Sequence, residues 1–261
     1  MKIGEVTAWL DEVFHPEYQE AYDNAGFLMG ESDADYTGAL VAVDLTLAVV
    51  AEAVGAGLNL VVTHHPFLFG GVKRLTDRSE TGRMVLALAR AGVAVYAAHT
   101  NLDNLPWGVN GALAAVLGVE RCRVLHPLAG NSEAGAGLVG ELAEAEPCDG
   151  YLQRVKQRLG LPVVRTSEHD AVRPVRTVAL CGGSGAFLIE EAMAAGADLY
   201  LTADLKYHDF QRTDGRMVVA DIGHYESEQF AKDIIFETIS KKFSNFACRI
   251  SGVQESIVSY I

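Results

Sequence analysis

The sequence predicts an α/β fold made of two pseudo-symmetric α/β halves. Each half has a βαβ core in a three-layer α/β/α arrangement, and the halves face one another across a metal-binding cleft. Three observations predict it. Short apolar runs of strand length alternate with segments of helical apolar spacing. One such unit recurs without gaps, since Ala39–Thr63 aligns on Val178–Thr202. The strand after each copy ends in a histidine with an acid four residues on, His99/Asp103 in the first and His224/Glu228 in the second.

In chain order, Ile3–Phe14 has helical spacing, and Pro16–Met29 reads as a loop around the turn-rich Tyr22-Asp23-Asn24-Ala25-Gly26. Gly38–Asp44 reads as a strand, Leu47–Ala56 as a helix and Leu58–Thr63 as a strand, a crossover that makes the two strands parallel. Thr81–Ala91 is a helix closed by Gly92, a favoured residue past a helix end. Val93–Ala98 is the next strand, and Asn110–Leu117 a helix ending at Gly118. The Gly-, Ala- and Glu-rich stretch Leu128–Asp149 holds one strand candidate, Gly137–Leu142, and a domain boundary is expected near Leu125–Pro127. Tyr151–Leu159 and Phe187–Ala195 read as helices, and Val175–Cys181, Asp198–Thr202 and Met217–Ile222 as strands. Gln229–Phe243 is a closing helix, and Ala247–Val258 alternates like a strand. The expected division is a first domain of residues 1–125 with 215–261, carrying most of the metal ligands, and a second of residues 126–214.

Composition narrows the function. A length of 261 residues with 49% hydrophobic residues supports a folded core rather than disorder. A net charge of −13 disfavours nucleic acid as a partner, because the overall field repels phosphates. Cys122, Cys148, Cys181 and Cys248 are scattered with no CxxC pair, which fits a reducing cytosol. Met1–Trp9 does not read as a signal peptide, and no apolar run reaches the roughly 20 residues that span a bilayer. The expectation is a cytoplasmic protein with no membrane partner.

Three pieces carry ligand chemistry, each just past a run that reads as a buried strand: Thr63-His64-His65-Pro66, His99-Thr100-Asn101-Leu102-Asp103 and Gly223-His224-Tyr225-Glu226-Ser227-Glu228. Ligands of open α/β sheets gather beyond the carboxyl ends of the strands, so the pieces are expected to converge. Residues four apart share a helix face, which puts Glu228 on the side of His224. His64 and His65 are neighbours, and in an extended chain their side chains point to opposite sides. They serve two ions more easily than one, or one ligates while the other supports. Five ligands exceed the three or four of one tetrahedral site, and Glu228 is the expected bridge. Each piece also has a plain structural alternative: a loop at His64-His65, a hydrogen-bonded turn at His99/Asp103, and a solvated helix start at His224/Glu228. Cys181-Gly182-Gly183-Ser184-Gly185 either cradles a phosphate or makes a tight strand–helix turn. His208 either lines the site or pairs with a backbone carbonyl.

Taken in order, these motifs resemble those of the NIF-three-like dinuclear-metal proteins, also called type 2 homologues of GTP cyclohydrolase 1. The resemblance runs from Tyr22-Asp23-Asn24-Ala25-Gly26 and Val43-Asp44-Leu45-Thr46 through the histidine pieces. It also takes in Gly182-Gly183-Ser184-Gly185 and Thr202-Ala203-Asp204-Leu205-Lys206-Tyr207-His208. It implies metal ligands at His64, His65, Asp103, His224 and Glu228, with His99 beside them, and a toroidal homohexamer with the sites facing an interior cavity. Ala203 departs from the family's usual Gly, so that turn is expected to differ locally. Longer members carry an inserted middle domain that the short stretch from Leu125 to Val175 leaves no room for. The function expected is a metal-dependent hydrolase using two divalent ions per chain, Zn, Mn, Fe, Co or Ni. His99 and His208 are the candidate proton-moving residues. The substrate is a small molecule or nucleotide. The alternative is a non-enzymatic metal-binding oligomeric scaffold or metal-handling protein.

Overall fold

The βαβ units expected from the repeat are present in the computed structural model of the chain, which describes residues 1–253 and 256–261. The elements divide into two units, Met1–Leu102 with Ala231–Ser259, and Asp103–Phe230 with Tyr260–Ile261. The division falls earlier in the chain than the expected break near Leu125–Pro127. The physical reason is the helix Val109–Leu117, whose Leu113 and Leu117 are fully buried in the core of the second unit. Asp103, His224 and Glu228 thus belong to the second unit, and the first does not hold most of the expected ligands.

The first unit opens with α1 (Ile3–Phe14), whose apolar face of Ile3, Val6, Leu10 and Phe14 is fully buried. Its sheet contains β1 (Gly26–Met29), β2 (Gly38–Ala42), β3 (Leu60–Thr63), β4 (Ala94–Ala97) and a late strand at Ala247–Ile250. The order from edge to edge is β1, β4, β3, β2, Ala247–Ile250, and only β1 runs antiparallel to its neighbour. β2 and β3 are joined by α2 (Leu47–Gly55), and β3 and β4 by α3 (Glu80–Ala91). Both helices are started by a hydroxyl: Thr46 Oγ1 accepts the Val49 amide, and Ser79 Oγ accepts that of Gly82. Val61 and Val95 bury against α2 and α3 residues, while Tyr96, on the other face, donates its hydroxyl to Asp11 of α1 at 2.9 Å.

β4 leads into α4 (Thr100–Asp103), a single helical turn, and the second unit follows with α5 (Val109–Leu117). Its sheet is β5 (Glu120–Leu128), β6 (Asn131–Pro147), β7 (Arg165–Thr166), β8 (Pro174–Ser184), β9 (Leu199–Ala203) and β10 (Val218–Asp221). The order is β5, β6, β8, β9, β10, β7. α6 (Cys148–Leu159) covers one face of it, and α7 (Ile189–Ala194) covers the other. Alternation along β8 serves both faces, with Val178 and Leu180 in one core and Ala179 and Cys181 in the other.

The aligned segments have the same topology. β2, α2, β3 and then β4 form three adjacent parallel strands, as do β8, α7, β9 and β10. Each triplet is closed by a short antiparallel edge strand, β1 on β4 and β7 on β10. Several expectations are corrected. The loop Pro16–Met29 contains β1, and Leu128–Asp149 is mostly the long strand β6 rather than one short strand. The closing helix expected over Gln229–Phe243 is present as α9 (Ala231–Lys242), with the short α8 (His224–Glu228) ahead of it. The last strand is β11 (Ala247–Ile250), ending well before Val258; of that expected strand, Gln254 and Glu255 lie outside the described residues.

Candidate metal centre

In the first unit, three histidines meet at the carboxyl ends of β3 and β4. The chain leaves the β3 ladder after Thr63 but stays tied to its neighbour, since the consecutive amides of His64 and His65 both donate to the β2 side, to the carbonyls of Ala42 and Val43 at 3.2 and 2.9 Å. Thr63 Oγ1 donates to the His65 carbonyl at 2.8 Å and turns the chain there. The two imidazoles then converge instead of pointing to opposite sides, with ring centroids 4.9 Å apart. This corrects the expectation drawn from extended geometry. The His99 ring stands edge-on to both, at 5.4 Å from His64 and 5.5 Å from His65.

Each of the three presents Nδ1 to an oxygen. His64, fully buried, meets the Ala98 carbonyl at 2.7 Å, His65 meets Asp44 at 2.8 Å and His99 meets Asp23 at 2.7 Å. An acceptor there favours the N–H on Nδ1, the tautomer in which metal-ligating histidines present Nε2. Asp23 is the most enclosed of the acceptors. Burial alone would raise its carboxyl, yet hydrogen bonds from His99, the Thr100 hydroxyl and the Asn24 amide bring it down to about 2.

In the second unit, His224 opens α8 and Glu228 closes it. The spacing of four puts both on one face, with His224 Nε2 2.9 Å from Glu228 Oε2. His224 Nδ1 meets Asp204 at 2.8 Å, so a fourth imidazole has an oxygen of its own behind Nδ1. Glu228 is only 3% exposed. Its seat is the glycine corner ending β8. A Cβ on Gly183 would lie 2.0 Å from Glu228 Oε1, and Gly183 sits at φ +60°, which only glycine adopts freely. The Gly183 amide donates to Ser227 Oγ at 3.0 Å, and the Gly182 amide to Asn110 at 2.8 Å. The Gly-rich motif therefore makes room for a carboxylate, and its amides are spent on protein acceptors rather than turned to a phosphate. Asp103 ends α4 with its Oδ1 buried, and its carbonyl accepts from Asn110 Nδ2 at 3.0 Å.

Ala203 causes no strain. It is the last residue of β9, fully buried, and the left-handed residue of that turn is Asp204, at φ 57°. His208 lies on an exposed 3₁₀ turn, Tyr207–Gln211, with Nδ1 3.3 Å from Gln211 Oε1 and its ring edge-on to Tyr207. Sequence reasoning passed over the acceptors Asp23, Asp44 and Asp204. Asp44 and Asp204 each lie one or two residues past a strand of the aligned βαβ units, which was the available signal.

The donor chemistry fits a divalent ion. Imidazole with carboxylate is the donor set of Zn, Mn, Fe, Co and Ni sites. No helix of the described residues is long and apolar enough to cross a membrane.

The Duf34/NIF3 (NGG1p interacting factor 3) family profile matches residues 1–256. A Clostridium perfringens protein named GTP cyclohydrolase 1 type 2 homolog is 31% identical over 231 residues, covering 87% of each chain. A Streptomyces coelicolor protein of the same name is 35% identical over 233 residues, 87% of this chain and 81% of that one. A Staphylococcus epidermidis protein with this name aligns over 346 residues at 25% identity, longer than this chain, so it carries segments this chain lacks. Among solved structures, the Staphylococcus aureus protein SA1388 superposes with a TM-score of 0.92 at 28% identity, covering 100% and 99% of the two chains. A Bacillus cereus protein related to NIF3 shares the fold, with a TM-score of 0.90 at 21% identity and the same coverage. Matched along almost its whole length, the chain belongs to the Duf34/NIF3 family.

Proposed function

We infer that this chain is a dinuclear metal-binding protein acting as a metal-dependent hydrolase. His64, His65, Asp103, His224 and Glu228 would hold the two ions, with Glu228 as the carboxylate shared between them. The observation that carries the reading is the treatment of the imidazoles. Four histidines on strand ends have Nδ1 against a carboxylate or carbonyl oxygen, and three of those oxygens are aspartates. An oxygen behind Nδ1 orients the ring and turns Nε2 away from it, which is the support a metal-ligating imidazole needs.

Ions held there supply Lewis acidity toward a hydrolysable bond. The chain's own part is to set donor geometry and to handle protons. His99 is the proton-moving group. Asp23, ionised down to about pH 2, stabilises the imidazolium that forms when His99 takes a proton. His208, on its exposed turn, is the second candidate. The relatives' shared name supports a hydrolytic reaction on a small molecule or nucleotide. The chain is further proposed to work as a homohexamer in the cytoplasm. The exposed apolar side chains Phe69, Val72 and Leu75, within eight residues of one another, support self-association.

Elemental analysis of protein purified without chelator, then reloaded with excess Zn, Mn or Fe, tests the centre. About two ions per chain are expected, and a ratio that stays near one defeats the two-ion reading. Turnover of a nucleotide and metabolite panel by loaded protein tests the activity. Full loading with no turnover moves the protein to the metal-holding scaffold class. Sedimentation at micromolar concentration that finds only a 28.0 kDa species removes the hexamer.

A further inference from the structure

The second unit also carries a groove of about 680 Å³, in the size range of small-molecule sites. One wall is β7 and the residues after it, and the other is the segment from Tyr207 to Gly215. Two aromatic rings line it. Tyr207 is 76% exposed, which is unusual for so large a side chain. Phe210 lies under the Arg165 guanidinium, 5.4 Å from the ring centroid.

The charges of the lining select what can enter. Arg165 is the cation among the lining residues, and it is already committed, donating to the Leu205 carbonyl at 2.7 Å and to Asp221 at 2.5 Å. Glu168 and Asp214 are exposed carboxylates on the same lining, and Gln211 adds an amide. A phosphate or sulfonate would meet two negative charges here, on a chain of net charge −13. A ring with N–H donors would meet acceptors.

We propose that this groove binds a flat nitrogen heterocycle that is neutral or cationic, carries an amidine-type pair of N–H donors and bears no phosphate. Its face stacks on the exposed Tyr207 ring, as planar bases stack on aromatic side chains. Its N–H edge donates to Glu168 or Asp214, since a carboxylate accepts two parallel N–H bonds from such an edge. The site is distinct from the candidate metal donors, and His208, on the same turn as Tyr207, is not needed for it.

The probe is 2-aminobenzimidazole, titrated calorimetrically into the full-length protein at low ionic strength. Benzimidazole-2-sulfonate, the same ring with the donor replaced by an anion, is run beside it. Saturable binding of the amine and at least about tenfold weaker binding of the sulfonate are expected. Tyr207→Ala should weaken the amine about tenfold or more, and so should Glu168→Gln combined with Asp214→Asn. These positions are exposed, so the variants keep their fold, which circular dichroism checks. Absence of saturable binding overturns the proposal. So does binding that survives both sets of substitutions, and so does binding lost in His65→Ala, which would place the ligand at the metal donors instead.

Discussion

The two units build the same three-strand parallel scaffold and then furnish its strand ends with different chemistry. After β3 the first unit places His64-His65; at the aligned positions, the last residue of β9 and the one after it, the second places Ala203-Asp204. After β4 comes His99 with Asp103, and after β10 comes His224 with Glu228. In the first unit aspartates stand behind His65 and His99, and the Ala98 carbonyl stands behind His64. In the second, one imidazole is paired with a carboxylate that is itself almost fully buried. Topology therefore fixes where donors can stand, and a few side chains decide which unit carries a buried carboxylate. Two divalent ions brought close together need that charge, since their repulsion falls as carboxylates neutralise it.

The largest effect is expected where this asymmetry is greatest. Glu228→Gln keeps the shape of the side chain and removes its charge. It should lower the affinity for both ions by more than the roughly 10–100-fold that a supporting acceptor is worth. Asp103→Asn should weaken mainly one. Elemental analysis of both variants beside the wild type checks this, and full occupancy in Glu228→Gln would remove the bridging role. Gly183→Ala attacks the same carboxylate through the backbone. The new Cβ would meet Glu228 Oε1 and place a side chain at φ +60°, at a cost on the order of 1–3 kcal/mol in stability. A lowered thermal midpoint with lost metal is the expected outcome, and a variant with wild-type values on both measures refutes the seat assigned to Glu228.

The second expectation uses the aspartates behind the imidazoles as a matched pair. Asp44→Asn removes the anion behind His65, and Asp204→Asn the one behind His224. Each should weaken metal binding about 10–100-fold without altering the number of ions at saturation. If Asp204→Asn is silent while Asp44→Asn is not, the second unit's histidine is a structural partner of Glu228 and the ligand set shrinks.

Much of this was visible in the sequence, and the gaps have physical causes. Strands ending at Thr63, Ala97 and Asp221 announce themselves as apolar runs because both faces of a parallel sheet are buried. The His-x-x-x-acid spacing correctly implied one helix face at α8. β7 escaped notice because two residues, Arg165 and Thr166, carry no alternation to detect. β6 was shortened because its outer end, Glu141 to Pro147, is Glu-rich and mostly exposed, and its pairing with β8 is interrupted between Glu141 and Glu146. Asp23 could not be assigned to His99 from sequence, since 76 residues separate them and only tertiary structure joins them. The convergence of His64 and His65 depended on the chain leaving the strand at Thr63, which period-two reasoning does not anticipate.

The smallest expected effect separates a histidine outside the donor set from those within it. His169, in the second unit, has both ring nitrogens on protein oxygens: Nδ1 is 2.9 Å from the Ser167 carbonyl, and Nε2 is 2.8 Å from Asp149. Burial alone would lower its pKa, but the Ser167 carbonyl and the Asp149 carboxylate favour the charged ring, and the net shift is upward from 6.5. A pKa raised by folding means that the protonated ring stabilises the native state. That contribution is fully present below the unfolded value of about 6.5 and is lost as pH rises through the higher folded value. His169→Gln should therefore lower the unfolding free energy measured in urea more at about pH 5.5 than at about pH 8.5, by less than about 1 kcal/mol because Asp149 is largely exposed. Metal loading should leave this pH dependence unchanged, whereas it should suppress titration of His64, His65 and His224, whose protons compete with the ion. A His169 effect that disappears on loading would make His169 part of the metal-linked network and erase the line drawn between the two kinds of histidine.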